Sequence, residues 1–240
     1  MIIIHDCRLP KAYKDALIGK LPEAVFVPFM ADNKCKDPPV YDSILHHPDI
    51  YFFKLDNETI IHAPGLTDTC LSPLKEAGME LIPGAADPCG TYPDTARYNA
   101  VCIGGMVLHD LSCSDPVIIE TAKKRGYKLI GVPQGYTRCS AVTVGENAII
   151  TSDEGIAGSG RNAGIDIFQI PPGSVLLPGE ERGFLGGASG NPGSDTIVFL
   201  GDLKFHPCRK EIKEFISGYK MNSLILEELP LFDAGSLLMV

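Results

Sequence analysis

The hydrophobic positions of this chain follow a pattern that returns four times. Each copy starts with two short apolar runs on either side of a turn, at residues 51–62, 100–109, 141–152 and 196–206. Each copy ends with another apolar run that is closed by proline, at residues 79–84, 128–135, 166–173 and 224–230. The copies start roughly 40–55 residues apart, which is typical of propellers, solenoids and arrays. The pattern therefore predicts a repeated unit of strand, turn, strand, connection and strand.

The two ends of the chain complete a fifth unit. MIIIHD at residues 1–6 has the pattern of a second hairpin strand, and VFVPF at residues 25–29 that of a closing run. The first strand of this unit is missing there, and GSLLMV at residues 235–240 can supply it. We therefore predict one α/β domain over residues 1–240. It is a fivefold pseudosymmetric ββαβ propeller, closed by pairing of the N- and C-terminal strands.

Helices are expected as connections in most units. Residues 10–20, 114–125 and 207–219 have amphipathic spacing, and the second of these begins with a capping residue followed by proline. Residues 66–78 give a weaker signal because Pro73 interrupts them. EGIAGSGRNAG at residues 154–164 carries no helix signal. It is predicted to be a glycine-rich loop, which marks the third unit as divergent.

Turns and long loops complete the prediction. The hairpin of the fourth copy is predicted to turn at Gly201 and Asp202. Residues 30–48, 84–97 and 178–194 are rich in proline, aspartate or glycine and fit neither strand nor helix. Loops of this length in a compact domain are typically lids or binding loops.

Composition narrows the classes of function. The formal net charge of −9 disfavours nucleic acid and anionic membranes as partners. No apolar run approaches the ~18 residues of a membrane helix, and the start of the chain lacks the pattern of a secretory leader. The eight cysteines form no CxxC pair, which is typical of thiols used as small hydrophobic groups in a reducing cytoplasm. We expect a cytoplasmic protein, and no cofactor motif is present.

Three short segments resemble the motifs of a known superfamily. GIDIF at residues 164–168 looks like a His-Leu-Asp strand, with Gly164 at the histidine position and Asp166 at the aspartate. CSA at residues 139–141 is similar to a Gly-Gly-Asp/Glu segment that opens a hairpin. GSLLMV resembles a strand that carries a nucleophilic cysteine, and that position falls at or near Met239. Together with the five units, these segments resemble the pentein fold of arginine deiminases, dimethylarginine dimethylaminohydrolases, amidinotransferases and some non-catalytic ribosome-associated factors.

The resemblance implies the scaffold without its chemistry. Attack on a guanidinium carbon needs a thiolate, a histidine and a carboxylate. Methionine supplies no nucleophile and glycine supplies no base. We therefore expect no turnover of arginine, methylated arginine or agmatine. The expected role is binding of a small polar molecule or of a protein partner at the rim of the channel.

An enzyme with a relocated site is the alternative. In this hypothesis Cys139 is the nucleophile of a hydrolase that acts on a small guanidino or amide compound, with Asp153 or His206 as its partner. Arg138 precedes Cys139 and is expected to lower the pKa of its thiol. The competing interpretation is a buried cysteine at the start of a strand.

The repeat alignment also predicts where a ligand binds. The starts of the first strands and the ends of the second strands share one rim of the ring, where backbone and polar groups converge. Arg138 is a candidate anion clamp, and Asp166 is a candidate carboxylate of the divergent unit. The candidate ligand-binding residues are Asn99, Arg138, Ser140, Asp166 and Ser189, and the candidate catalytic residues are Cys139, Asp153 and His206.

Four histidines occupy equivalent positions in the repeat. His5, His62, His109 and His206 are each predicted to end a second strand. Imidazoles that converge on one rim can share a transition metal or an anion. The alternative is that each ring bonds to its own local turn, and no metal is assigned.

Overall fold

The computed structural model describes residues 1–31, 39–193 and 195–240. In this part of the chain there are five three-stranded sheets and one two-stranded sheet. The strands are β1 (Ile2–Asp6), β2 (Val25–Phe29), β3 (Phe52–Lys54), β4 (Thr59–His62), β5 (Glu80–Pro83), β6 (Val101–Ile103), β7 (Met106–His109), β8 (Lys128–Gly131), β9 (Ala141–Val144), β10 (Ala148–Thr151), β11 (Asp166–Gln169), β12 (Val175–Leu176), β13 (Ser189–Gly190), β14 (Thr196–Phe199), β15 (Asn222–Leu224), β16 (Leu231–Phe232) and β17 (Leu238–Met239).

All five three-stranded sheets have the same topology. The middle strand pairs antiparallel with the first strand and parallel with the third. A helix connects the middle strand to the third strand in every sheet, as a parallel crossover requires. The helices are α1 (Lys11–Lys20), α2 (Pro48–Tyr51), α3 (Asp68–Glu76), α4 (Pro116–Lys124), α5 (Thr137–Ser140), α6 (Glu154–Asn162) and α7 (Arg209–Gly218).

The two ends of the chain pair with each other. In β1, Ile3 lies opposite Met239 of β17, and Ile4 lies opposite Leu238. The backbone groups of Ile2 and Val240 also bond in both directions, at 2.7 and 3.0 Å. The predicted pairing of the N- and C-terminal strands is therefore confirmed.

The middle strands are buried on both faces. Every residue of β4 and of β10 is buried, so these strands are continuous apolar runs with little alternation. One face packs against the connecting helix, as Ile212 and Ile216 of α7 illustrate on the sheet of β14. The apolar core is thus distributed over the five units.

The glycine-rich segment of the third unit is a helix, so the loop prediction is wrong there. Asp153 caps α6, because its Oδ1 accepts a hydrogen bond from the Ile156 amide at 2.8 Å. Gly160 faces β11, where a Cβ atom would lie 2.7 Å from Cδ1 of Ile167. Glycine therefore allows a close approach to the sheet, and this packing outweighs the poor intrinsic helix propensity of the segment.

The predicted hairpin turn at Gly201 and Asp202 is also wrong. The strand Thr196–Phe199 is the middle strand of its sheet, and its antiparallel partner is Ser189–Gly190. That first strand has only two residues inside a glycine-rich stretch, so it leaves no alternating pattern in the sequence. Asp202 instead caps a short 3-10 helix at Leu203–Phe205 by accepting a hydrogen bond from the Lys204 amide at 2.9 Å.

The predicted long loops contain some short helices. Residues 42–44 and 94–96 form 3-10 turns, and α2 lies at the end of the first loop. Residues 32–38 of that first loop and residue 194 of the last one lie outside the described part of the chain. None of the helices described is long and apolar enough to cross a membrane.

The cysteines differ from the expectation at one position. Cys89 is disulfide-bonded, whereas Cys7, Cys70, Cys102, Cys113, Cys139 and Cys208 are free thiols. The expectation that all eight cysteines are thiols is therefore wrong at Cys89. Two of the free thiols, Cys113 and Cys139, are buried.

We predict that deleting residues 235–240 abolishes cooperative folding. The deletion removes β17 and three buried side chains, Leu237, Leu238 and Met239. Their burial contributes roughly 5 kcal/mol, a large part of the stability of an ordinary domain, and one edge of β1 is left unpaired. Thermal unfolding followed by circular dichroism measures the effect. Leu176→Ser, at a half-exposed position, is the control; an unchanged melting temperature of the truncated chain would contradict the prediction.

Candidate functional site

A single pocket of about 540 Å³ receives residues from all five three-stranded sheets. Phe52 of β3, Val101 of β6, Thr143 of β9 and Leu238 of β17 lie in its wall. Asn191, directly after β13, supplies the contribution of the fifth sheet. The pocket therefore lies where the first strands of the five units meet.

The two ends of the pocket differ in burial. At one end are the hairpin turns, with the exposed residues Asn57, Gly105 and Glu146. At the other end are residues that precede the first strands, among them Asp49 and Ser236, which are only 4% and 3% exposed. The turn end is thus the mouth, and the end with the strand starts is the floor.

Four polar side chains form a hydrogen-bonded cluster at this floor, of which Asp49 and Ser236 line the pocket and Asn99 and Cys139 do not. Asn99 Nδ2 donates to the Asp49 carbonyl at 3.2 Å and to Cys139 Sγ at 3.0 Å, and Asn99 Oδ1 accepts from the Cys139 amide at 3.1 Å. Asp49 Oδ2 accepts from Cys139 Sγ at 3.1 Å and from Ser236 Oγ at 2.6 Å. We call these four residues, Asp49, Asn99, Cys139 and Ser236, the floor cluster.

One atom of the floor cluster is left without a partner. Asp49 Oδ1 is buried and accepts no hydrogen bond, although Asp49 lines the pocket. Buried carboxylate oxygens normally have donors, because an unsatisfied one costs free energy. The floor cluster therefore holds a carboxylate oxygen that no donor of the described chain satisfies.

The thiol of Cys139 is poorly suited to nucleophilic attack. Burial raises its pKa well above the ordinary value, and the negative charges of Asp49 and Asp233 act in the same direction. Cys139 therefore remains a thiol that donates to Asp49 near neutral pH. This direction is opposite to the expectation that Arg138 lowers its pKa.

Arg138 lines the pocket and forms hydrogen bonds with carbonyl groups of two units. Its Nη1 donates to the carbonyls of Ala141 and Gly186, both at 3.1 Å, and its Nη2 donates to the carbonyl of Ser189 at 3.2 Å. These contacts use three of the five N–H donors of the guanidinium group. No carboxylate among the described residues forms an ion pair with it, so a positive charge stands at the pocket wall.

Lys54 is a second cation in the pocket, and sequence reasoning missed it. It lies on β3, two residues after Phe52, so the two side chains are on the same face of the strand. Its Nζ donates to the carbonyl of Met239 at 2.9 Å. Burial lowers its pKa, the charge of Arg138 acts in the same direction, and Asp56 acts against them. A lysine within the apolar run YFFKL was the available signal.

Asp49 was also missed in the sequence. It follows Pro48 in the short helix α2, directly before a buried strand. The signal was an acidic residue between a proline and the apolar run of β3. The sequence pattern places this segment in a loop and gives no direction for its side chains.

Several predicted site residues do come together. Asn99 and Cys139 are in direct contact, and Ser189 is joined to Arg138 through its carbonyl. Ser140 is buried beside them; its carbonyl accepts from Thr151 Oγ1 at 2.8 Å, and its own Oγ has no partner. These residues start the first strands of neighbouring sheets, as the repeat alignment expects.

The other three candidates lie elsewhere and have local bonds. Asp153 caps α6 and accepts from Gln134 Nε2 at 2.8 Å. Asp166 is exposed on β11 and accepts from the Tyr219 hydroxyl at 2.5 Å. His206 lies beyond β14 and its short helix, where its Nδ1 accepts from the Cys208 amide at 3.1 Å. None of the three lines the pocket, so the predicted set of Cys139, Asp153 and His206 is not assembled.

The repeated histidines bond to their own surroundings. His5 and His62 each contact a carbonyl of the next residue, at 2.7 and 2.8 Å. His109 contacts Ser114 Oγ at 2.6 Å and the Gly135 carbonyl at 2.7 Å. Among the described residues no group of three or more His, Cys, Asp or Glu side chains is arranged to hold a metal.

We predict that His109 makes the fold sensitive to acid. Burial lowers its pKa from 6.5 to about 4 in the folded chain. The imidazole of His109 is therefore protonated near pH 6.5 in the unfolded chain but only near pH 4 in the folded chain. The free energy of unfolding should fall by about 3 kcal/mol as the pH decreases from 6.5 to about 4. Above pH 6.5 the full stability is retained.

Denaturant unfolding of the native chain and of His109→Gln, at pH 7 and at pH 4.5, measures this effect. The variant should be less stable at pH 7 but should lose less stability on acidification. Equal losses in the two proteins would show that another group controls the acid response.

Solved structures of known enzymes share this fold. A dimethylarginine dimethylaminohydrolase adduct with 4-chloro-2-hydroxymethylpyridine is 13% identical, with a TM-score of 0.54 over 94% of this chain and 91% of that chain. The agmatine deiminase of C. jejuni is 12% identical, with a TM-score of 0.53 over 94% and 75% of the two chains. SxtG, an amidinotransferase from Microseira wollei, is 11% identical, with a TM-score of 0.52 over 93% and 87%.

These similarities show that the α/β fold resembles that of pentein structures. A family model matches residues 27–238, and the chain therefore belongs to this family of unknown function, DUF6873. No curated protein matches the sequence.

Proposed function

We propose that this protein binds a small polar molecule in the pocket described above. The observation that carries the proposal is the unpartnered Oδ1 of Asp49, a buried acceptor on the pocket floor. A ligand with an ammonium, guanidinium or amide group supplies the missing donor. The volume of about 540 Å³ lies within the range of small-molecule sites and fits a compact ligand.

We infer that the five sheets stand around the pocket as a closed ring. Three observations support this arrangement: the shared topology of the sheets, the pairing of β1 with β17, and the contribution of every unit to one pocket. A ring brings five strand starts to one place, and polar groups at strand starts then converge. The floor cluster is the product of that convergence.

A pure protein-binding scaffold is the less favoured alternative. That role predicts a filled channel with a flat apolar patch for the partner. The open pocket argues against a filled channel, and its charged residues Lys54 and Arg138 suit a polar ligand better. The net charge of −9 argues further against nucleic acid and anionic membranes as partners.

The guanidine chemistry of the similar enzymes is not part of the proposal. Gly164 has a φ of +87°, a left-handed backbone conformation that favours glycine over a catalytic histidine. Met239 is buried on β17 and has no nucleophilic group. The enzyme names, which refer to agmatine and dimethylarginine, nonetheless support a ligand that carries N–H donors.

A hydrolase built on Cys139 is disfavoured by the state of its thiol. The raised pKa keeps its sulfur protonated, and none of Cys139, Asp153 and His206 lines the pocket.

Six free thiols in the described chain support a cytoplasmic location, and the disulfide of Cys89 counts against it.

We predict that Asp49→Asn weakens ligand binding while the fold survives. The amide keeps the shape of the side chain but replaces a carboxylate that attracts cationic donors. Thermal shift and calorimetry with agmatine, L-arginine, L-citrulline and glycine test the prediction. At least one of these should stabilise the native chain and lose at least about tenfold in affinity in the variant, because a hydrogen bond to a charged group contributes about 1.5–3 kcal/mol.

Glu146→Gln is the matched control, because it removes a carboxylate at the mouth of the same pocket. This control should bind as the native chain does. If no compound binds, or if the native chain and Asp49→Asn bind equally well, the assignment of Asp49 as the ligand acceptor is wrong.

A further inference from the structure

Lys54 differs from the lysines on the surface of the protein. Among the described residues that line the pocket it is the one lysine, and its Nζ contacts the carbonyl of Met239. It forms no ion pair with a described carboxylate, whereas Lys20 and Lys75 on the surface pair with Glu227 and Asp68. The amine of Lys54 therefore faces a cavity without a charge partner of its own.

Part of the pocket wall is apolar. Phe52, Val101, Ile103 and Leu238 line the same pocket, so water solvates the ammonium form poorly. Burial lowers the pKa of Lys54; the charge of Asp56 opposes this shift, and the positive charge of Arg138 adds to it. A desolvated lysine beside another cation has the properties of an amine that attacks carbonyl compounds.

Arg138 supplies a second anchoring group in the same pocket. Three of its five N–H donors are bound by carbonyls, and the remaining two are free of partners within the described chain. A guanidinium with spare donors and no ion pair is suited to a carboxylate. An amine and a carboxylate anchor in one cavity match a ligand with a carbonyl next to a carboxylate.

We propose that Lys54 forms an imine with small oxo acids, with Arg138 binding their carboxylate. The nitrogen lone pair of the neutral amine adds to the carbonyl carbon, and a proton moves from nitrogen to the carbonyl oxygen. The resulting carbinolamine loses its hydroxyl group and a proton as water, which leaves a carbon–nitrogen double bond. Amine and carbonyl compound thus give imine and water, without an oxidant or a reductant.

This inference rests on the proposed use of the pocket as a small-molecule site. It names a ligand class and a second anchoring group, Arg138, whose charge is opposite to that of Asp49. Ligands that depend on Asp49 can bind without an imine, so the two proposals fail separately. Loss of both would point to a pocket that binds nothing.

Reductive trapping tests the proposal on the full chain. The protein is incubated at pH 7 with glyoxylate and sodium cyanoborohydride, which converts an imine into a stable carboxymethyl-lysine, and each lysine is quantified by peptide mass spectrometry. We expect Lys54 to react several-fold faster than Lys75, because burial lowers the pKa of Lys54 and so enlarges the neutral fraction of its amine. A rate at Lys54 equal to or below that of Lys75 would overturn the proposal.

Two comparisons separate the roles of the two cations. Lys54→Arg keeps the positive charge but cannot form an imine, so the fast-labelled site should disappear while Lys75 labels as before. Acetaldehyde lacks the carboxylate, and Lys54 should lose its advantage over Lys75 with this reagent. Equal selectivity with glyoxylate and acetaldehyde would overturn the assignment of Arg138 as the carboxylate anchor.

Discussion

The hydrogen bonds at the strand starts hold the five units in one arrangement. The floor cluster joins residues that precede β3, β6, β9 and β17, namely Asp49, Asn99, Cys139 and Ser236. Arg138 extends the connection to the fifth unit through the carbonyl of Ser189. Each sheet is small and has a short first strand, so these contacts between units determine where the strand starts lie. The shape of the pocket follows from them.

The same arrangement creates the chemical character of the pocket. Bringing polar groups to a buried centre is costly unless they satisfy one another, and the floor cluster does so for every atom except Asp49 Oδ1. Lys54 and Arg138 add positive charge to walls that also contain Asp56 and Glu146. The protein therefore combines an unfilled acceptor with two cations, and a small ligand with both donor and acceptor groups complements all three. The oxygen that lowers the stability of the fold, because it lacks a donor, is also the atom that the proposed ligand would bind.

Much of the fold could be predicted from the sequence, because strands that are buried on both faces leave long apolar runs. The runs of β1, β4 and β10 and the pairing of the chain ends were recognisable in this way. The helix α6 was not, since its stability comes from the Asp153 cap and from packing of Gly160 on β11. The first strand of the last unit was also missed, because two residues leave no periodic signal.

The site was predictable only in part. The repeat alignment brought Asn99 and Cys139 to one place, because equivalent strand starts converge in a repeated fold. It also included Asp153, Asp166 and His206, whose side chains bond locally away from the pocket. Asp49 and Lys54 were missed because the sequence pattern does not show whether a charged side chain faces a cavity. Knowledge of the contacts between units was needed for that step.

A crystal structure of the protein soaked with the compounds of the ligand panel tests the central claim most directly. We expect an open pocket with a ligand nitrogen about 3 Å from Asp49 Oδ1, the ordinary length of such a hydrogen bond. A pocket filled by the protein's own side chains, with Asp49 Oδ1 bonded to an internal donor, would contradict it.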